Sequence, residues 1–504
     1  MDWMSLKSGS DVRGTAAGEG IVLTGEVAGR IGAAFAKTLA DDKGKNLEDI
    51  MIALGRDSRV SGPDLLKATA EGILSTGASV MDFQMCTTPA MYMSTITPGF
   101  EPDGAVMITA SHHPWNKNGL KFFTNRGGLE GKEVEKLLKT AAAMESGEAK
   151  NKPGTLLETS FLPVYMDQLS GRIRSGLRTD DSLPLSGLHV AVDAGNGAGG
   201  FYAKMLENLG ADTSGSQFLE PDGMFPNHIP NPENPDAMKS LQKAVLQSNA
   251  DLGVIFDADC DRAAVVDCDG KEINRNRLIA LISAILLNER PGQTIVTDSV
   301  TSSGLKTFIN QHGGEHYRFK RGYRNVIDEA IRLNQEGIDC PLAIETSGHA
   351  ALRENHFLDD GMYLVTVLIV QAMKMKKKGK HLGSLIADLK EPAEAVEIRM
   401  NITEPDFRTC GNRIIEKVLD QAGKADGWHL APDNREGVRI SFDLDGQENA
   451  GWFLLRLSVH DPVMPLNAES DCEGGIRAMM RQLYDVLKDE QGINSAELAK
   501  AAGE

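Results

Sequence analysis

Gly104-Ala105-Val106-Met107-Ile108-Thr109-Ala110-Ser111-His112-His113-Pro114 is an apolar run that empties into a small, hydroxyl-bearing loop. An unbroken apolar run of this length is the pattern of a strand buried on both faces, and such strands belong to parallel or mixed sheets covered by helices. The residues after it then lie at the carboxyl end of a strand, where open α/β sheets bind their ligands. A serine there, with Lys121 ten residues on in Asn118-Gly119-Leu120-Lys121, points to phosphoryl chemistry. Taken alone, the loop reads equally well as a plain turn.

Two further segments repeat the arrangement. Leu252-Gly253-Val254-Ile255-Phe256 runs straight into Asp257-Ala258-Asp259-Cys260-Asp261-Arg262. Alternate carboxylates in a loop can turn toward one point, and hard oxygen ligands of this kind suit Mg²⁺. A calcium EF-hand would need glycine at the sixth position and glutamate at the twelfth, which are Arg262 and Cys268 here, so that alternative fails. A solvated acidic turn is the remaining structural reading. Pro341-Leu342-Ala343-Ile344 likewise leads into Glu345-Thr346-Ser347-Gly348-His349, whose carboxylate, hydroxyl and imidazole can hydrogen-bond the vicinal hydroxyls of a sugar.

Periodicity extends the pattern. Strands are expected near 50–55, 79–84 and 104–110, then near 188–193, 211–218 and 252–256, then near 294–298, 315–319 and 341–345, with helices between them. This βαβαβ order, met three times, predicts an α/β protein of three similar mixed-sheet domains. Ser111, Asp257 and Glu345 each follow the third strand of their unit, so a central cleft can collect all three. After about residue 395, strand-like 397–401, 437–444 and 451–458 alternate with helix-like 407–421 and 474–488, which reads as a smaller α+β domain. The expected domains are 1–165, 166–288, 289–395 and 396–504. The last residues, 494–504, are Ala-rich and charged and read as a frayed tail.

Composition sets limits. A chain of 504 residues has room for about three to four domains. Its net charge of -18 argues against general binding to nucleic acid or anionic membrane. The six cysteines form no Cys-x-x-Cys pair, so neither a zinc site nor a disulfide scaffold is indicated, and a reducing compartment fits. The apolar runs 278–287 and 364–373 are about half a membrane span and read as buried helices. Lys374 to Lys380 reads as a solvated helix end. No targeting segment is visible, so the expected location is cytoplasmic, with an organelle such as a plastid left open.

The three segments in this order resemble the α-D-phosphohexomutase family, the phosphomannomutases and phosphoglucomutases. Gly9-Ser10-Asp11-Val12-Arg13-Gly14, Gly55-Arg56-Asp57-Ser58-Arg59, Asp193-Ala194-Gly195-Asn196-Gly197-Ala198-Gly199 and the stretch from Phe225-Pro226 to Asn231-Pro232-Glu233 carry the resemblance along nearly the whole chain. The glycine-rich Asp193 to Gly200 segment lacks the full dinucleotide-fingerprint spacing and reads as a tight strand-to-helix turn.

The resemblance implies an isomerase in which Ser111 is carried as phosphoserine, donates its phosphoryl group to a hexose monophosphate, and takes the other phosphate back from a 1,6-bisphosphate. It implies Mg²⁺ held by Asp257, Asp259 and Asp261 with a phosphoserine oxygen of Ser111, and glucose 1,6-bisphosphate as activator. Lys121 is the first candidate for the base that deprotonates the serine; Arg262 and Arg13 are candidates for stabilising the transferring phosphoryl group. Glu345 and Ser347 would bind sugar hydroxyls, His349 would assist proton transfer or grip a phosphate, and Lys320 and Arg321 lie in a loop that orients the sugar. The partners implied are hexose phosphates, with no nucleic acid and no membrane; oligomeric state is not indicated.

The chain departs from the family in its last domain. Where relatives place Arg-x-Ser followed by Gly or Asn, Thr and Glu, this chain has Arg456-Leu457-Ser458-Val459-His460-Asp461-Pro462. Arg456 and Ser458 can still hold a phosphate, with His460 beside them, while Val459 and Asp461 weaken the loop. Glucose and mannose phosphates are the favoured substrates, because relatives that act on glucosamine phosphate usually have Gln after the glutamate. Three alternatives remain: a phosphoglucosamine mutase, a catalytically weakened sugar-phosphate sensor, and a phosphatase with Asp257 as nucleophile.

Overall fold

Buried apolar runs paired with amphipathic helices account for the first part of the chain. The computed structural model describes residues 2–144, 153–458 and 461–504. It divides into two compact units, one of residues 1–278 and 347–384, the other of residues 279–346 and 385–504. In the first unit, β1 (Lys7–Ser8), β2 (Asp11–Thr15), β3 (Met51–Arg56), β4 (Ser79–Met85), β5 (Gly104–Ile108), β6 (Lys117–Thr124), β7 (Gly127–Gly128) and β8 (Leu156–Glu158) form one sheet. Its order is β1-β2-β6-β5-β3-β4-β8, with β7 on β6. β3, β4 and β5 run parallel, whereas β6 is antiparallel to both β5 and β2. The helices α1 (Gly25–Lys43), α2 (Gly62–Ser75), α3 (Thr88–Ser94) and α4 (Gly131–Ala143) accompany this sheet. Val27, Ile31, Phe35 and Leu39 of α1 recur at helical spacing and join Ile52, Leu54, Val106 and Ile108 in one core.

The next stretch holds α5 (Leu162–Leu177), β9 (Val190–Asp193), α6 (Phe201–Asn208), α7 (Pro235–Ser248), β10 (Leu252–Phe256), β11 (Ala263–Asp267) and β12 (Glu272–Ile273). Its sheet order is β12-β11-β10-β9. The strand expected at 211–218 does not form. Those residues meet the sheet through isolated bridges from Asp212 to His189 and from Gln217 to Asp193 rather than as a strand, because Gly210 and Gly215 take positive φ and break the extended run. The glycine-rich turn between β9 and α6 is as read, and Gly197 is needed there: a Cβ would lie 2.7 Å from the backbone of Ala258.

Helix α8 (Arg275–Glu289) leads into β13 (Thr294–Thr297), α9 (Ser303–Gln311), β14 (Glu315–Arg318), α10 (Tyr323–Gln335) and β15 (Leu342–Ile344), whose strands pair in parallel. The chain returns to the first unit with the hairpin β16 (Ala350–Leu352) and β17 (Leu358–Asp359) and the buried helix α11 (Gly361–Lys376). The last stretch has β18 (Glu394–Asn401), α12 (Phe407–Ala422), β19 (Trp428–Leu430), β20 (Val438–Leu444), β21 (Gln447–Leu455), β22 (Val463–Ser470), α13 (Gly475–Leu487) and α14 (Ala496–Ala502). Its antiparallel sheet runs β18-β22-β21-β20-β19 and gives the α+β character expected. The expected frayed tail is instead helical: Leu498 and Ala502 are buried in the core with Met479 and Leu483. No helix among the described residues is long and apolar enough to cross a membrane.

Candidate active site

Ser111 sits three residues beyond β5 with φ +53°, the left-handed region, and its amide donates to Thr109 Oγ1 at 2.8 Å. The loop around it is held from behind by Arg59, which is fully buried and donates to the carbonyls of Ser111 (2.5 Å), His113 (2.7 Å), Pro114 (2.7 Å) and Lys117 (2.9 Å). Asp57, equally buried, pairs with Arg59 Nε at 3.2 Å and accepts from Thr109 Oγ1 at 2.7 Å. A guanidinium offers its donors in a planar fork, so a single side chain can organise several carbonyls of one turn.

The serine side chain faces the acidic loop. Ser111 Oγ donates to Asp257 Oδ2 at 2.8 Å and accepts from Arg262 Nη2 at 3.1 Å. Arg262 Nε also donates to Asp257 Oδ2 at 3.1 Å. Asp257, Asp259 and Asp261 are all buried, and one oxygen from each lies within 4.8 Å of the others. Asp259 Oδ1 and Asp261 Oδ1 are buried without a hydrogen-bond partner. Orphaned, convergent carboxylate oxygens fit a hard divalent cation. Burial first, then Asp261 and Asp259, holds the Asp257 carboxyl well above its usual range.

Lys121, delivered by β6, donates to Asp259 Oδ2 at 2.8 Å and also pairs with Asp261 Oδ2. Burial opposes its charge, but Asp259, Asp261 and Asp11 outweigh that and hold the ammonium well above the ordinary lysine range. In this arrangement Lys121 keeps its proton. The imidazole of His112 is 3.3 Å from Ser111 Oγ; burial and the nearby Arg262 push its pKa far down, and His113 is pushed down to about 4 by burial and Arg13. Both rings are neutral at neutral pH.

Arg13 pairs with Asp11 at 2.8 Å on β2, in register with Gly119 of β6, which places it beside the lysine strand. His349 joins the acidic loop through a backbone bridge to Arg262, with Nε2 3.8 Å from Asp261 Oδ1 and 3.6 Å from Asp359 Oδ2. Ser347 Oγ lies 3.0 Å from His349 Nδ1. In the first unit, therefore, Ser111, Asp257, Asp259, Asp261, Arg262, Lys121 and His349 form one connected set.

In the second unit Glu345 accepts the Gly322 amide at 2.6 Å. Asp298 beside it is pushed up to about 7 by burial and Glu345. Arg321 reaches Asp298 at 3.9 Å, and its amide donates to Glu436 Oε2 at 3.1 Å. Lys320 is exposed. Arg456 has its Nε buried without a hydrogen-bond partner, and burial and then Arg321 lower its pKa. Ser458 Oγ accepts the Asp461 amide at 3.3 Å. Val459 and His460 lie outside the described residues.

Several participants carried no role in the sequence reading. Arg59 and Asp57 stood only as part of a resemblance, and Thr88, whose hydroxyl donates to Asp259 Oδ2 at 2.5 Å, had no signal at all. Asp298, which accepts Thr346 Oγ1 at 2.8 Å, was equally silent. An arginine spaced one residue from an aspartate after a strand was the available cue for the first pair.

Comparison with known proteins gives one consistent result. Family models described as phosphoglucomutase/phosphomannomutase alpha/beta/alpha domains I, II and III match residues 5–148, 163–270 and 274–392. The chain is 30% identical over 481 residues to a phosphoglucomutase of Neisseria gonorrhoeae, covering 95% of each protein. It is 31% identical to the phosphomannomutase/phosphoglucomutase of Pseudomonas aeruginosa, over 95% of this chain and 94% of that one. A crystal structure of a phosphoglucomutase/phosphomannomutase family protein from Burkholderia thailandensis superposes with a TM-score of 0.78 at 26% identity, covering 97% of this chain and 99% of that chain.

Proposed function

The chain belongs to the α-D-phosphohexomutase family and is an isomerase of the phosphoglucomutase/phosphomannomutase type, and from that premise we propose that it moves phosphate between the 1- and 6-positions of glucose or mannose through Ser111. The observation that carries this reading is the wedging of Ser111 Oγ between Asp257 at 2.8 Å and Arg262 at 3.1 Å.

In the proposed cycle phosphoserine 111 gives its phosphoryl group to a sugar hydroxyl: the Oγ–P bond breaks, the sugar O–P bond forms, and the hydroxyl proton passes to a base. The resulting hexose 1,6-bisphosphate turns and returns its other phosphate, regenerating phosphoserine. Arg262 neutralises charge that develops on Oγ, a role suited to a buried guanidinium whose pKa Asp257 and Asp261 keep high against burial. Asp257, Asp259 and Asp261 are the proposed holders of Mg²⁺, which when bound draws charge from the phosphoryl oxygens. Lys121 becomes a base once the two carboxylates it now pairs with are turned elsewhere, since burial and Arg13 then pull its pKa down against Asp11 alone.

Arg13 and His349 are proposed to steady the phosphoryl group and the proton traffic. Glu345, Ser347, Lys320 and Arg321 are the proposed sugar contacts, and Arg456 and Ser458 the proposed grip on the phosphate that is not transferred. Glucose 1,6-bisphosphate is the proposed activator, because it recharges an unphosphorylated serine. The division at 1–165, 166–288, 289–395 and 396–504 is proposed on the same footing.

The test is phosphorus NMR of purified protein with Mg²⁺, a trace of glucose 1,6-bisphosphate, and glucose, mannose or glucosamine 1-phosphate in turn. Conversion of a 1-phosphate to its 6-phosphate, lost by about 10³-fold or more in Ser111→Ala, is expected. Folded protein that converts none of them sinks the proposal, and conversion of glucosamine phosphate alone replaces its substrate.

A further inference from the structure

Strand β11 has the acidic loop at one end and a second cluster of metal-ligating side chains at the other. Asp267 closes the strand, Cys268 follows it in the turn toward β12, and His381 arrives from the loop after α11. One carboxylate oxygen, the thiol sulfur and one ring nitrogen of these residues all lie within 4.8 Å of one another. Asp267 lies six positions beyond Asp261, so at about 3.3 Å per residue this cluster is at most about 20 Å along the chain from the acidic loop.

The cluster is built rather than incidental. Asp267 is 3% exposed, and its Oδ1 is buried with no hydrogen-bond partner. Its other oxygen accepts His381 Nδ1 at 2.5 Å and the Gly383 amide at 2.8 Å. Residue 383 must be glycine for this approach, since a Cβ there would sit 2.3 Å from Asp267 Oδ2. The turn itself is fixed by Gly270 N to Asp267 O at 2.9 Å and Asp267 N to Lys271 O at 2.9 Å. Cys268 is a free, exposed thiol.

We propose that Asp267, Cys268 and His381 form a site for a borderline transition-metal ion of the Zn²⁺ class, with water in the fourth position. Sulfur and imidazole select Zn²⁺ over Mg²⁺, which demands oxygen ligands. Tetrahedral ligand edges at Zn²⁺ bond lengths are about 3.6 Å, so the ion takes the place of the 2.5 Å hydrogen bond between His381 and Asp267 and the ligand atoms, already within 4.8 Å of one another, need shift by only about 1 Å, within reach of the torsions of the exposed cysteine and half-exposed histidine. Burial, then Asp267, Asp269 and Asp251, raise the pKa of the Cys268 thiol, and the same carboxylates attract a cation whose binding displaces the thiol proton. A bound ion would clamp the β11–β12 turn to the end of α11. Those two elements also meet at their other ends: a Cβ on Gly361, the first residue of α11, would lie 2.6 Å from the carbonyl carbon of Arg262.

The test uses the full chain, freed of metal by a chelator, returned to excess Mg²⁺ and a non-chelating reductant, and titrated with Co²⁺ and then Zn²⁺. Expected are one tight Co²⁺ per chain with a thiolate charge-transfer band, displacement of the band by Zn²⁺, and a rise in thermal midpoint. Cys268→Ser, at an exposed position, should fold, turn over as before in Mg²⁺, and lose both band and midpoint rise; His381→Ala should weaken Co²⁺ about tenfold or more. Absence of the band, its survival in Cys268→Ser, or unchanged affinity in His381→Ala overturns the site. None of the overturning results depends on mutase activity.

Discussion

The surroundings of Ser111 and of Arg456 each bury a guanidinium but satisfy it differently. Behind Ser111, Asp57 and Arg59 are both fully buried, and the guanidinium spends its donors on Asp57 and the loop carbonyls. Around Arg456, burial and then the like charge of Arg321 lower the pKa against Glu436, Glu397 and Asp298, and a buried Nε has no hydrogen-bond partner. The first region is complete in itself and fixes the Ser111 loop. The second leaves one buried donor, Arg456 Nε, that a bound oxyanion could satisfy. A completed hydrogen-bond network and an uncompleted one thus lie in different parts of the same chain.

The largest effect should come from breaking the complete region. Arg59→Met leaves Asp57 buried without its partner and should cost about 3–5 kcal/mol, read as a fall in the urea midpoint, together with loss of turnover as the serine loop loosens. Arg456→Ala should cost little stability, because it removes an unsatisfied donor, yet raise KM for the sugar phosphate about 10–100-fold with a smaller change in kcat. Equal destabilisation by the two variants would erase the contrast.

The smallest effect concerns slope. Asp298 is pushed up to about 7 by burial and Glu345, against about 3.8 when unfolded. A raised folded-state pKa means stability that is fully present below about pH 4 and lost as pH climbs to about 7. Asp298→Asn should therefore flatten the fall of the thermal midpoint across that window; an unaltered slope would show that Asp298 is not the group responsible.

Much of this was legible before any coordinates. β5 and β10 announced themselves because strands buried on both faces cannot hide their apolar runs, and the residues following them were marked by position alone. The 211–218 segment misled because its alternation is interrupted by glycines whose positive φ a pattern cannot see. The tail misled because burial of Leu498 and Ala502 depends on a core assembled from residues elsewhere in the last domain. Thr88 was invisible in principle: its bond to Asp259 spans 171 residues, and nothing local demands it.

The backbone at Ser111 has one more consequence. Threonine carries the same hydroxyl and accepts phosphate with the same chemistry, so reactivity alone does not choose between them. At φ +53° a β-branched side chain crowds its own main chain, and such residues are outliers there. The identity of the proposed phosphate carrier is thus chosen by chain geometry before chemistry is consulted: Ser111→Thr preserves the functional group and forfeits the shape that presents it.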